Sequence, residues 1–234
     1  TISNDELIQA KVSAKPKVYF YEIDLTPQLH GVFDLAKAVL DAKCRNKPKK
    51  DIDDTGYTGA ELLKEVYRLS MRKGVVENLP RNSKVLEIIH SNPGKSILVV
   101  VDLLEHGELL QKLLTENRIR SEFISGQAVH RKEGLEQFKS GKLRVLISTN
   151  IIDEGLDISR IECLVMLSGK KSRRQILQRV GRSLRRKEGE NTVKIYDFLD
   201  TGSRHLTRHS KMRYNIYKQE HFDIEFISDL PKLI

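Results

Sequence analysis

Tryptophan is absent from this 234-residue chain, cysteine appears only twice, and aromatic residues make up 6%. Two isolated cysteines, Cys44 and Cys163, cannot form the disulfide framework of a small secreted domain, and they fit a reducing compartment. Each reads as a core or surface thiol. Long hydrophobic runs are missing as well: the best, SILVVV at 96–101, stops at Asp102. That is far short of the roughly 20 apolar residues a membrane span needs. The opening TISNDELIQAKV lacks the charged-then-apolar order of a secretory leader. The expectation is a protein that is not secreted and not in a membrane, cytoplasmic or nucleoid-associated. There is no internal repeat and no low-complexity tract.

Against those absences stand 41 Lys+Arg and 32 Asp+Glu, a net charge of +9, with 39% hydrophobic residues. The length supports one generous domain or one domain with an appendage. A basic field of this kind favours polyanions, nucleic acid before acidic membrane surfaces.

The first residues to about Lys15 read as a polar connector, followed by the strand candidate KVYFYEID. Pro27 opens a helical pattern whose Leu29, Val32, Phe33, Leu35, Ala36, Val39 and Leu40 are spaced for one buried face. RNKPKKDIDDTGYTG breaks every periodicity and reads as a loop. Helical patterns resume at AELLKEVYRLSMRKG and SKVLEIIHSN. From residue 94 the rhythm changes: SILVVV, SEFIS, RVLIST, CLVMLS and VKIYDF alternate with helical patterns at 105–117, 131–140 and 173–187. Strands that are apolar without alternation are buried on both faces, which means an open, mainly parallel sheet covered by helices. Such an α/β sheet places ligands beyond the carboxyl ends of its strands. The expected divisions are a connector over 1–16, a strand and helical stretch over 17–93 with a loop at 45–59, a core over 94–202, and a basic helix with a final strand over 203–234.

RRQILQRVGRSLRRKEG, residues 173–189, holds six arginines. At roughly 100° per residue, Leu177, Val180 and Leu184 share one face while Gln178, Arg182 and Arg185 share the opposite one. Gly181 in the middle costs about 1 kcal/mol relative to alanine, which suits a close approach by a backbone or ligand. The plain alternative is a solvated basic face.

QRVGRSLR (178–185) resembles motif VI of superfamily 2 helicases, Q/H-R-x-G-R-x-x-R. VLISTNIIDEGLDI (145–158) resembles their motif V, SILVVVDLLEHGELLQKLL (96–114) motif IV, and FISGQAVHRKEGLEQFKSGK (123–142) the segment between IV and V. Four motifs in order are specific where one would be weak. The resemblance implies the second, carboxyl-terminal RecA-like motor domain, and Gln178 opening motif VI leans toward DNA-acting branches similar to XPB and the phage UvsW type. A phage origin would place it in host cytoplasm. ATP with Mg²⁺ would lie between this domain and a first RecA-like domain of the same protein, which would hold most of it.

By position the resemblance makes Arg185 the arginine finger, Arg182 a second γ-phosphate contact and Gln178 a support for the nucleotide. A planar, permanently charged guanidinium suits a transferring phosphoryl group, and such a finger contributes on the order of 10³–10⁵ in rate. Asp157 would hold ribose hydroxyls or, alternatively, cap a helix. Gly155 would let the turn pass close to ligand, and Glu154 would link the nucleotide and DNA sites or simply face solvent. Thr149, Gly126, Gln127 and Arg131 would contact backbone phosphates, giving sequence-independent, salt-sensitive binding to single-stranded or branched DNA. Arg131 could equally form a surface ion pair with Glu133 or Glu136. An RNA helicase on the same motor, or a stand-alone nucleic-acid-binding module, are the rival readings.

NPGKS (92–96) imitates the end of a phosphate-binding loop, but Ile89 stands where the first glycine belongs and the strand follows instead of preceding it. It reads as a turn. With no D-E-x-H or D-E-A-D box either, the chain is expected to carry half of an ATP site, to derive from a longer helicase, and to be inactive alone. His205 and His209 have helical ligand spacing but no third ligand, so no metal is expected. The tail around them carries Arg204, Arg208, Lys211, Arg213 and Lys218 with Tyr214 and Tyr217. It reads as a DNA-gripping helix through Arg204 and Arg208, or as a solvated helix packing Leu206, Ile216 and the tyrosines on the core.

Overall fold

A computed structural model describes residues 15–44, 57–125, 131–149, 161–168 and 192–227. Its strands are β1 (Lys15–Asp24), β2 (Ile97–Val100), β3 (Ser121–Ile124), β4 (Val145–Ser148), β5 (Cys163–Met166), β6 (Thr192–Thr201) and β7 (Asp223–Ile227). The helices are α1 (Thr26–Leu29), α2 (Val32–Cys44), α3 (Gly59–Met71), α4 (Leu79–His90), α5 (Leu104–Glu116), α6 (Arg131–Ser140) and α7 (Arg204–Gln219), with a π-helical turn at Arg72–Val76. All seven strands form one parallel sheet in the order β3-β4-β2-β5-β6-β1-β7.

The continuous apolar runs explain its centre. Every residue of β2, β4 and β5 is buried, and neighbouring residues go to opposite faces. Leu98, Val100, Leu146, Leu164 and Met166 enter one core cluster with Phe138 and Tyr217. Ile97, Val99, Val145, Ile147, Cys163 and Val165 enter the other with Ile88, Ile89, Leu110 and Leu114. Helices therefore cover both faces, as a parallel sheet requires. Cys163 sits inside the second cluster, and burial pushes its thiol up to about 11, so it is an unreactive packing residue.

β1 does not stand apart from the sheet. It lies between β6 and β7, Tyr19 opposite both Tyr196 and Glu225. The stretch from Pro27 is two helices, broken at His30 and Gly31, where Gly31 takes a positive φ of 71°. The break narrows the buried face of α2 to Val32, Ala36 and Leu40, and Phe33 and Leu35 are exposed at 49% and 38%. The broad stripe expected from spacing is thus corrected: among the described residues α2 packs against α3 through a small cluster with Leu69, which covers one narrow row. α3 starts at a capping box, Thr58 Oγ1 accepting from Glu61 N and Glu61 Oε2 accepting from Thr58 N. Asn92 to Gly94 form the turn into β2, with Gly94 at φ 72°. The strand follows the turn, so this is no phosphate-binding loop.

Candidate functional site

An all-parallel sheet brings every strand's carboxyl end to one edge, and the connections decide where a crevice opens. After β2 the chain crosses by α5 to β3, on one side. After β5 it proceeds to β6, on the other. β2 and β5 are neighbours, with Val100 opposite Met166, so the divergence falls between them. The ladder continues one step past the strands: Val101 N donates to Ser148 O at 2.9 Å and Leu167 N to Val100 O at 3.0 Å. Across the divergence, the fully buried Ser168 hydroxyl donates to Asp102 Oδ2 at 2.5 Å. Thr149, one residue past β4, and Ser125, one past β3, complete this rim, each 9% exposed.

Of the residues singled out in the sequence, Thr149 is placed here, at the strand end. Arg131 is the first residue of α6; its side chain lies outside the described residues, and Glu136 pairs with Lys139 at 3.2 Å. Gly126, Gln127, Glu154, Gly155, Asp157, Gln178, Arg182 and Arg185 also lie outside the described residues. The segments that hold them follow Ser125, Thr149 and Ser168 in sequence, at three of the four strand ends of the rim.

α7 begins beside the same edge, after Gly202, with Ser203 Oγ capping Leu206 N. Arg204 and Arg208 lie one turn apart on it and are exposed. His205 and His209 present their rings to Tyr67 of α3 at centroid distances of 5.7 and 6.0 Å, an aromatic packing contact. Among the described residues, no group of three or more His, Cys, Asp or Glu could hold a metal. Leu206 and Tyr217 are fully buried, and Ile216 and Tyr214 pack partly against the core. Arg213, grouped in the sequence with the basic tail, instead turns inward: it is fully buried against Asp197. Burial works against that charge, but the facing carboxylate outweighs it and raises the guanidinium above its usual value.

Sequence reasoning missed the buried polar framework behind this edge. Arg81 of α4 bonds through Nη1 to Asp200, both fully buried, and its guanidinium stacks over Phe198 at 4.4 Å. Asn82 Nδ2 donates to Val76 O, so its Oδ1 must accept from His106 Nε2 at 3.0 Å, which fixes His106 as the Nε2–H tautomer. Burial, reinforced by the Arg81 charge, pushes His106 down to about 3. Asp197 and Asp200 stand among Ile195, Tyr196, Phe198 and Leu199 of β6, which was the available signal. Outside the rim, a cleft of about 630 Å³ opens between α2, α3 and the start of α5, lined by Leu40, Tyr57, Tyr67, Met71 and Leu103.

The all-parallel sheet with helices on both faces defines an α/β protein of the RecA-like kind, a class in which ligands sit where connections diverge. Comparison with known proteins takes this further. Residues 80–187 match the family described as helicase conserved C-terminal domain. The DNA 3'-5' translocase XPB2 of Sulfurisphaera tokodaii is 38% identical over 60 residues, 26% of this chain and 14% of that protein. The ATP-dependent rRNA helicase RRP3 of Encephalitozoon cuniculi is 26% identical over 148 residues, 62% of this chain and 36% of that protein. The Hef helicase domain of Pyrococcus furiosus superposes with a TM-score of 0.56 at 16% identity, covering 88% of this chain and 59% of that one. Residues 80–187 of this chain are similar to the carboxyl-terminal motor domains of superfamily 2 helicases. It spans between 14% and 36% of the length of the curated relatives it matches. No described helix is long and apolar enough to cross a membrane.

Proposed function

We propose that the chain is the second motor domain of an ATP-dependent DNA helicase or translocase acting in repair, recombination or replication. In this reading Arg185 is the arginine finger and Arg182 a second contact to the γ-phosphate. Gln178, Gly155 and Asp157 hold the nucleotide, with Glu154 between the nucleotide and DNA sites. The donor set fits the group: two guanidiniums for phosphate oxygens and a carboxylate for ribose hydroxyls. ATP supplies the phosphoryl group whose transfer Mg²⁺ assists, and a first RecA-like domain binds most of both. Thr149, Gly126, Gln127 and Arg131 track backbone phosphates of single-stranded or branched DNA without reading bases, and Arg204 and Arg208 extend that track along α7. Opening and closing of the two domains moves these loops along the strand.

The observation that carries the reading is the divergence of connections between β2 and β5, from whose rim the motif-bearing segments depart. Alanine at Arg182 and Arg185 in the full gene product tests it: nucleic-acid-stimulated ATP hydrolysis should fall at least 10³-fold for the finger, and unchanged turnover would remove the assignment. An RNA helicase is the second reading, favoured by the match to a protein named an rRNA helicase. Stimulation of the ATPase by single-stranded DNA and by RNA of equal length separates the two.

A further inference from the structure

The cleft of about 630 Å³ between α2, α3 and the start of α5 falls within the range of small-molecule sites, roughly 300–1,000 Å³. Spacing on α3 creates it. Glu61, Lys64, Glu65 and Arg68 recur at helical intervals and line the cleft, while Leu62, Val66 and Leu69 take a neighbouring face onto the α2 cluster. The floor is apolar, with Leu40, Tyr57 and Met71 all buried. One wall is held in place from behind: Tyr67 packs on the rings of His205 and His209 at 5.7 and 6.0 Å. Burial first and the Asp102 charge second raise its phenol, so the ring stays neutral. The carboxylates of the lining are already engaged. Glu61 closes the capping box on Thr58, and Glu65 meets both Arg68 at 2.7 Å and Lys43 at 3.6 Å. Glu105 acts on Arg68 and raises it further. Lys64, exposed on α3, has no ion pair among the described residues, so the unspent charge of the lining is positive.

We propose that this cleft is a binding site for a small, flat aromatic molecule carrying one negative group, its ring set among Leu40, Tyr57, Tyr67 and Met71 and its anion facing Lys64. The class follows from the lining. An uncharged ligand would use the floor and leave the cation unmatched, and a cationic one would meet Lys64, Lys43 and Arg68 as like charges. None of these residues belongs to the strand-end rim, so the inference stands or falls apart from the ATPase reading.

Titration of the chain with anilinonaphthalene sulfonate, a fluorescent aromatic anion, should give saturable binding with a dissociation constant of about 10–100 µM, within reach of a ligand of that size. Phenylnaphthylamine, which lacks the sulfonate, should bind at least about threefold more weakly. Cys44 lines the cleft, is half-buried and forms no disulfide, so it reports occupancy. With the sulfonate probe at about nine times its dissociation constant, alkylation of Cys44 by iodoacetamide should slow about tenfold, as mass action requires. Cys163 stays silent, since it is buried and its thiol is pushed up to about 11. Lys64→Glu should weaken the sulfonate probe by roughly two- to tenfold and leave the uncharged one within about twofold. Leu103→Trp, which fills the cleft with bulk, should weaken both probes; should it fail to fold, Lys64→Glu at its exposed position and the Cys44 readout carry the test. Absence of saturable binding, alkylation of Cys44 at its free rate under saturating probe, equal affinity for the two probes, or a Lys64→Glu variant with the parent's affinity each overturns the inference.

Discussion

Arg213 of α7 lies along Asp197 of β6, Nε 2.9 Å from Oδ2 and Nη2 3.0 Å from Oδ1, with Tyr217 donating to Oδ2 at 2.8 Å. Arg213 Nη2 also donates to Phe198 O, so the carboxylate and guanidinium are held by several bonds in a fully buried site. On the opposite face of the same strand, Asp200 is clamped by Arg81 of α4. One strand thus anchors a helix from the first half of the chain and another from its end.

The pair makes a sharp prediction about stability. Arg213→Ala leaves Asp197 buried without its cation and should cost about 3–5 kcal/mol. Replacing both residues by apolar side chains of similar size should recover most of that loss. Urea unfolding of the chain measures both. A single variant within about 0.5 kcal/mol of the parent would mean that the Asp197 charge is solvated and not buried against Arg213.

His106 predicts an acid limit. Its folded pKa is about 3 against an ordinary 6.5, because burial first and the Arg81 charge second disfavour the imidazolium. The unfolded chain therefore binds a proton that the folded chain refuses. Its stabilising effect is complete above pH 6.5 and is lost progressively as pH falls from 6.5 toward 3. The total is about 3–5 kcal/mol at one pKa unit per 1.4 kcal/mol. His106→Gln keeps a donor for Asn82 Oδ1 but cannot be protonated, so its unfolding free energy should vary less between pH 7 and pH 4 than the parent's. Parallel curves for the two would contradict the burial of a neutral ring.

How much of this was legible beforehand depends on the range of the interaction. β2, β4 and β5 announce themselves through uninterrupted apolar runs, and the NPGKS turn through its place before a strand. Local signals also gave α7 and its apolar face of Leu206 and Tyr217. Arg213 was legible as a charge but not as an inward one, because its partner lies 16 residues away on another element. Arg81 finds Asp200 across 119 residues, a pairing no spacing rule contains. The wide stripe on α2 failed for a related reason: periodicity describes a face, whereas the number of neighbours decides how much of it is covered. Ser168 and Asp102 are unremarkable polar residues at strand ends until the sheet order sets β5 beside β2.

Gly202 offers a test of the turn that delivers α7. It adopts φ 78°, and a Cβ there would come within 2.8 Å of Thr26 N and 2.6 Å of Thr26 Oγ1. Thr26 N is already engaged with Asp24 Oδ1 at 2.9 Å, so the neighbouring backbone has little room to yield. Gly202→Ala combines a left-handed conformation with a backbone clash and should destabilise by about 1–3 kcal/mol. Differential scanning calorimetry on the two chains reads this as a lowered Tm. An unchanged Tm would show that the turn relaxes freely.

The exposed pair on α7 separates its two roles. Arg204 and Arg208 project one turn apart while Leu206 and Tyr217 hold the helix to the core, so charge can be removed there without touching packing. If the pair contacts phosphates, each contact releases bound counterions, and log affinity for single strands falls with log salt by about 0.7 per phosphate. Arg204→Glu with Arg208→Glu should therefore weaken binding at low salt and lower the salt slope by about 1.4. The loss should be similar for unrelated base sequences, since backbone contacts carry no base information. Fluorescence anisotropy over a salt series gives slope and affinity together, and thermal unfolding confirms an intact fold. A double variant with the parent's slope would assign α7 to the core alone, leaving phosphate contact to the loops at the strand ends.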